Sequence, residues 1–109
     1  MPDTMRTPVF HILLALARED LHGLGIAQSI DSTTDGSVQL GPGTLYRSLK
    51  EMLRDGLITE VPAPRPGDDP RRRYYSITAQ GQDAVRAEAS RLERVVQVAR
   101  DADVLPQAR

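Results

Sequence analysis

The chain has 109 residues, with 14 Lys or Arg against 15 Asp or Glu, a formal net charge of −1 and no cysteine. That length suits one domain with a helical extension and leaves little room for a separate catalytic domain. Lack of cysteine excludes disulfides, thiolate metal sites and a cysteine nucleophile, and the near-neutral balance means that any affinity for nucleic acid rests on where cations are placed.

No apolar run is long enough to span a bilayer, and the first residues lack the basic region and apolar core of a secretory leader. A cytoplasmic protein without membrane contact is therefore expected. Thr7-Pro8 reads as a helix start, with Thr7 as N-cap and Pro8 in the first turn. Residues 9–17 follow, apolar nearly all round, so this helix must be buried on more than one side. One side can face the chain's own core and another a partner subunit. Residues 21–24 read as a turn, and a second helix runs from about Gly23 to about Asp31 with Ile26, Ala27 and Ile30 inward. Residues 32–37 have loop composition, and 38–40 are a short strand or extended chain.

Residues 41–58 carry the most informative pattern. Pro42 fits a first helical turn and Gly56 a left-handed C-terminal cap. Between them Leu45, Leu49, Met52 and Leu53 form one apolar stripe, while Thr44, Arg47, Ser48, Glu51 and Arg54 are assigned to the opposite face with Lys50 on its flank. Alone, this is an ordinary amphipathic surface helix. Its neighbours alter that reading. Residues 57–61 predict a strand, the proline-rich 62–70 cannot be helix or strand interior, and residues 71–77 predict a second strand. Two strands joined by a stiff loop directly after a helix–turn–helix make a β-hairpin wing. Thr78 then caps a last helix from about Ala79 to about Ala102. Its Val85, Ala89, Leu92, Val96 and Ala99 keep one stripe, with Glu88, Arg91, Glu93, Arg94 and Arg100 outside. So long a stripe with little chain left to cover it predicts oligomerisation. The fold expected is mainly α with a small β-hairpin: a winged helix-turn-helix domain over 7–78 and a C-terminal dimerisation helix over 79–104.

This order and several local strings resemble the PadR family of winged-helix transcriptional regulators. The matching residues are Leu21-His22-Gly23 with Ile26, then Gly43-Thr44-Leu45-Tyr46 with Leu49 and Leu53, and Asp55-Gly56-Leu57-Ile58. The likeness continues through Arg73-Tyr74-Tyr75-Ser76-Ile77-Thr78 with Gly81. It implies a homodimer whose first and last helices interlock, with Val9 and Leu13 of the first helix beside the stripe of the last. It also implies a repressor-like role in which a small molecule or another signal lowers affinity for a pseudo-palindromic operator. Two departures stand out: Leu24 occupies a position often held by Tyr in the family, and the C-terminal helix is a single short segment, as in its smaller members. The absence of Trp means that the tryptophan-sandwiched drug pocket of one branch does not carry over.

Within a winged helix, Arg47 is the first choice for a base-edge contact, since Arg reads guanine bidentately in the major groove. Its rival role is a solvated ion pair with Glu51 at i,i+4. Gly43 and Thr44 stand at a helix N-terminus suited to a phosphate, although Gly43 also serves a tightly packed turn. Tyr46 either hydrogen-bonds a phosphate or packs beneath the wing. Arg71, Arg72 and Arg73 suit phosphate or minor-groove contact, or form a solvated run neutralised by Asp68 and Asp69. Strand alternation places Arg71 and Arg73 with Tyr75, and Arg72 with Tyr74. Lys50 and Arg54 are further cationic candidates, Arg54 with Asp55 or Glu51 as partner.

His11 and His22 lack companions at metal-ligand spacing, no catalytic serine context or phosphate-binding glycine loop is present, and no cofactor is expected. His11 reads as a packed residue, His22 as a local hydrogen-bonding group. The sequence therefore predicts a DNA-binding regulator of transcription. A protein–protein adaptor built on the same fold is the alternative, and an enzyme or carrier using the dimer cleft is the less supported one.

Overall fold

The structure, a computed structural model, describes residues 5–107. Its elements run α1 (Thr7–Arg18), β1 (Leu21–His22), α2 (Gly23–Thr33), α3 (Pro42–Arg54), β2 (Ile58–Val61), β3 (Tyr74–Ile77) and α4 (Ala79–Asp101). Helices dominate, and the strands form one antiparallel sheet in the order β1-β3-β2. The expected hairpin is β2–β3, in register from Ile58 opposite Ile77 to Val61 opposite Tyr74. The turn read at Leu21-His22 is instead a third strand, pairing Leu21 with Tyr75 and His22 with Tyr74. Two residues are too few to show the alternation that marks a strand.

Ile12, Leu13, Leu16, Ile26, Ile30, Leu45, Leu49, Met52 and Ile58 make a single core, closed by Tyr75 and Val85. The apolar run of α1 thus faces α2, α3, β3 and α4 together. Leu13, fully buried, belongs to this protomer core, whereas Leu14 points out with 38% exposure. Val9 is half-buried against the core.

Several boundaries differ from expectation. Arg6, not Thr7, is the N-cap of α1. Its carbonyl accepts from the Phe10 N–H at 3.0 Å, so the helical ladder opens one residue early. Residues 38–40 form no strand, and α2 continues to Thr33 before Thr34 caps it. The second wing strand begins at Tyr74, leaving Arg71, Arg72 and Arg73 in the connecting turn. Because they lie outside the ladder, alternation does not sort them. Alternation also fails at Tyr74 and Tyr75, which are both buried. β3 is the central strand, with the core on one face and the His22 ring edge-on to Tyr74 on the other, centroids 5.4 Å apart.

Two residues assigned to solvated faces are buried as well, Ser48 in α3 and Glu88 in α4. At about 100° per residue, Ser48 lies about 40° from Met52 and Glu88 about 60° from Val85, so each borders its helix's apolar stripe. Ser48 is small enough to fit there. Glu88 is accommodated by two hydrogen bonds from Arg91, at 2.7 and 2.9 Å, which also hold its carboxyl below the usual range.

The joint between α3, the wing and α4 is tightly built. Gly56 adopts φ +77° as the left-handed residue after α3. Thr78 caps α4 through Gly81 N–H at 3.0 Å while its hydroxyl donates to the Gly56 carbonyl at 2.7 Å. Gly81 is needed for close approach: a Cβ there would stand 2.2 Å from the Leu57 carbonyl oxygen.

Candidate nucleic-acid interface

α3 packs by Leu45, Ser48, Leu49 and Met52, and this fixes what it presents outward. Arg47, Lys50 and Arg54 share the exposed face, with Tyr46 on one flank and Thr44 and Glu51 on the other. Glu51 does not pair with Arg47. Its carboxylate is held by Arg6 at 2.7 Å, while Arg54 pairs with Asp55 at 3.4 Å. Arg47 and Lys50 make no ion pair with any described residue. At the N-terminus of α3, a Cβ on Gly41 or Gly43 would meet nothing within 4 Å, so Gly43 is not required by packing. Thr44 is half-buried beside it.

Tyr46 is 54% exposed, yet its position is constrained. A Cβ on Gly23 would lie 2.6 Å from the Tyr46 hydroxyl, so only glycine at the start of α2 lets this ring lie where it does. Tyr46 forms one wall of an open cleft of about 470 Å³ between α2, α3 and the wing, with Arg72, Arg73, Tyr75 and His22 opposite. Burial pushes the Tyr75 phenol up, and Glu60 adds to this, so the ring stays protonated.

The wing cations are paired, unlike Arg47 and Lys50 of α3. Asp69 accepts from the Arg71 backbone N–H at 2.9 Å and its guanidinium at 3.1 Å, and lies 4.0 Å from Arg72. Those bonds hold the Asp69 carboxyl below its ordinary value. Arg73 stands 3.6 Å from Glu60. The loop itself is tied back to the end of α1, where Arg65 pairs with Glu19 at 2.9 Å and with Asp68 at 3.6 Å.

His22 links these parts, a role that sequence reasoning reached only as a local hydrogen bond. Its Nδ1 accepts from the Gly25 N–H at 3.0 Å and so caps α2. Nη1 of Arg72 is 3.3 Å from Nδ1 and 3.2 Å from Nε2, near-equal distances that place the guanidinium over the ring and not in its plane. Burial and Arg72 lower the His22 pKa, so the ring is neutral near pH 7 and its proton sits on Nε2. The His22-Gly23 string was the available signal, since one residue caps α2 and the next admits Tyr46.

In α4, Val85 belongs to the core, Leu92 and Ala99 are half-buried, and Ala89 and Val96 are exposed. Val95 and Val98, outside the expected stripe, are exposed at 52% and 66%. Among the described residues, no three His, Asp or Glu side chains come together as a metal site, and no helix is long and apolar enough to cross a membrane.

The fold is shared with known regulators. A transcriptional regulator from Clostridium thermocellum is 26% identical, with 86% of this chain and 87% of that one aligned at a TM-score of 0.72. A PadR family transcription regulator from Clostridium difficile is 24% identical, with coverage of 88% and 97% and a TM-score of 0.74. PadR of Bacillus subtilis, in complex with operator DNA, is 21% identical over 75% of this chain and 46% of that one, at a TM-score of 0.64. No curated protein matches the chain. The model of the transcriptional regulator PadR-like family matches residues 12–87, which include β1, α2, α3, the wing and the start of α4. The chain therefore belongs to the PadR-like family of transcriptional regulators.

Proposed function

We propose that the protein is a homodimeric repressor that reads a pseudo-palindromic operator, with α3 in the major groove and the wing on flanking backbone. The observation that carries this reading is the unpaired state of Arg47 and Lys50 on the outward face of a helix anchored by its other side. Arg47 reads a base edge and Lys50 meets a phosphate. Gly43 and Thr44, at an open helix N-terminus, receive a second phosphate through backbone N–H groups, and Tyr46 contributes its hydroxyl from the opposite flank, in the cleft beside Gly23. Arg72 and Arg73, across the cleft from Tyr46, hold the backbone of the same strand, with Arg71 at the wing's edge.

Leu14 on α1 and Val96 on α4 are exposed apolar side chains that support dimerisation of residues 79–104 against a second copy. Val9, Ala89, Leu92 and Ala99 belong to the same two helices, and Leu13 and Val85 support them from beneath. Two α3 helices related by a two-fold would then enter successive major grooves about 34–36 Å apart. A small-molecule effector acts by binding better to an arrangement in which the two helices no longer fit together. The protein performs no catalysis in this role, and it acts in the cytoplasm.

Fluorescence anisotropy tests this reading. The protein is titrated against duplex from its own promoter region and against unrelated duplex over a salt series. The reading expects a preference of about a thousandfold or more and a steep salt dependence. Absence of binding to any duplex at low salt contradicts it and favours the adaptor.

A further inference from the structure

Arg6 precedes α1, yet its guanidinium reaches the last turn of α3 and meets Glu51 at 2.7 Å. It is not a loose arm. Met5 packs against the core on one side, and the Arg6 carbonyl opens the α1 ladder on the other. Glu51 is the sole acidic residue of α3, and it lies one turn beyond Arg47, the i,i+4 spacing at which the two would otherwise pair. We propose that Arg6 is a positioning residue for the DNA-reading surface: by holding the Glu51 carboxylate it leaves Arg47 free and cancels the one negative charge on that helix.

This inference rests on the reading of α3 as the DNA-contacting element. A carboxylate released on this face has two courses, and both oppose binding. It captures Arg47, or it stands unneutralised against the phosphates. Arg6 thereby acts on DNA affinity through Glu51 and not through a DNA contact of its own.

A double-mutant cycle on the full chain separates these roles. The probe is a duplex enriched by the wild-type protein from a random library. Affinities are compared for wild type, Arg6→Ala, Glu51→Gln and the double variant, with Arg6→Gln as a second variant that keeps the side-chain stem and Arg6→Lys as the conservative one. Arg6→Ala should weaken binding roughly fivefold, the effect of exposing one unit charge at contact distance in water. In the Glu51→Gln background the same change should have no effect, and Arg6→Lys should retain most of the affinity, with melting temperatures unchanged. A loss of equal size in both backgrounds overturns the inference, because Arg6 then acts on DNA or on the fold directly. So does the absence of any loss with Arg6→Ala and Arg6→Gln. Unchanged binding with Arg47→Ala overturns the reading of α3 itself, a separate failure.

Discussion

The wing holds three consecutive arginines and α3 three separated cations, yet it is on α3 that two of them, Arg47 and Lys50, make no ion pair with any described residue. Arg71 and Arg72 share Asp69, Arg73 faces Glu60, and Arg65 is tied to Glu19 and Asp68. Arg47 and Lys50, in contrast, have no ion-pair partner among the described residues, and the neighbouring Glu51 is held by Arg6. A basic run in a sequence is therefore not a basic patch on a surface. In the proposed DNA complex the held cations of the wing would suit backbone clamping, whereas Arg47 and Lys50 would be free to adjust to base edges and phosphates.

The largest expected effect comes from breaking the joint that both regions share. Gly81→Ala would drive a Cβ into the Leu57 carbonyl, a rigid backbone atom. A loss toward the upper end of about 1–3 kcal/mol is expected. In a thermal melt that amounts to a fall on the order of 4–8 °C for each kcal/mol. An unchanged melt would mean that α4 can shift away from β2 without cost.

Next in size is Arg47→Ala, which should remove about 1–3 kcal/mol of discrimination between operator and unrelated duplex. The matched change in the wing, Arg72→Ala, should weaken both duplexes alike and lower the salt slope by about 1. If the two variants behave identically, the contrast between a reading helix and a clamping wing is lost.

Asp69→Asn sharpens the comparison from the other side. Freeing Arg71 and Arg72 should tighten binding to unrelated duplex and raise the salt slope by about 1 as another phosphate contact forms. Retention of the wild-type slope would show that the wing carboxylate does not limit its neighbours.

The smallest effect concerns pH. Because the His22 pKa in the folded protein lies below 6.5, the unfolded chain binds its proton more readily. The stability that His22 contributes is complete above pH ~6.5 and declines as pH falls below that value through the lower folded one. Urea midpoints measured downward from neutral pH should therefore fall, and Arg72→Ala should shrink that fall by removing a charge that keeps the imidazole neutral.

Much of the frame was legible from local chemistry. Pro42 and Gly56 mark α3 because a proline start and a left-handed glycine stop are local backbone preferences. Thr78 was readable as a cap for the same reason. What escaped the sequence depends on contacts between distant residues. β1 exists only by pairing with β3, and Tyr74 is buried only because β1 and His22 cover the face that alternation leaves to solvent. Ser48 and Glu88 were misplaced because a stripe's border is decided by neighbouring helices and not by residue type. The candidate site followed the same division. Arg47 and Tyr46 could be nominated from spacing, but the Arg6–Glu51 pair spans 45 positions and has no local signature. Asp69 was legible as a neutralising neighbour of the wing's arginines because it is close in sequence, whereas Glu60, on the facing strand, was not.

In the proposed complex two copies of α3 read one two-fold DNA site. Selection of the wild-type protein on a random-sequence duplex library tests it most directly. A pseudo-palindrome with half-site centres about one helical turn, or 10–10.5 base pairs, apart should be enriched, and Arg47→Ala should abolish that enrichment. Recovery of no motif, or of the same motif with Arg47→Ala, would contradict it.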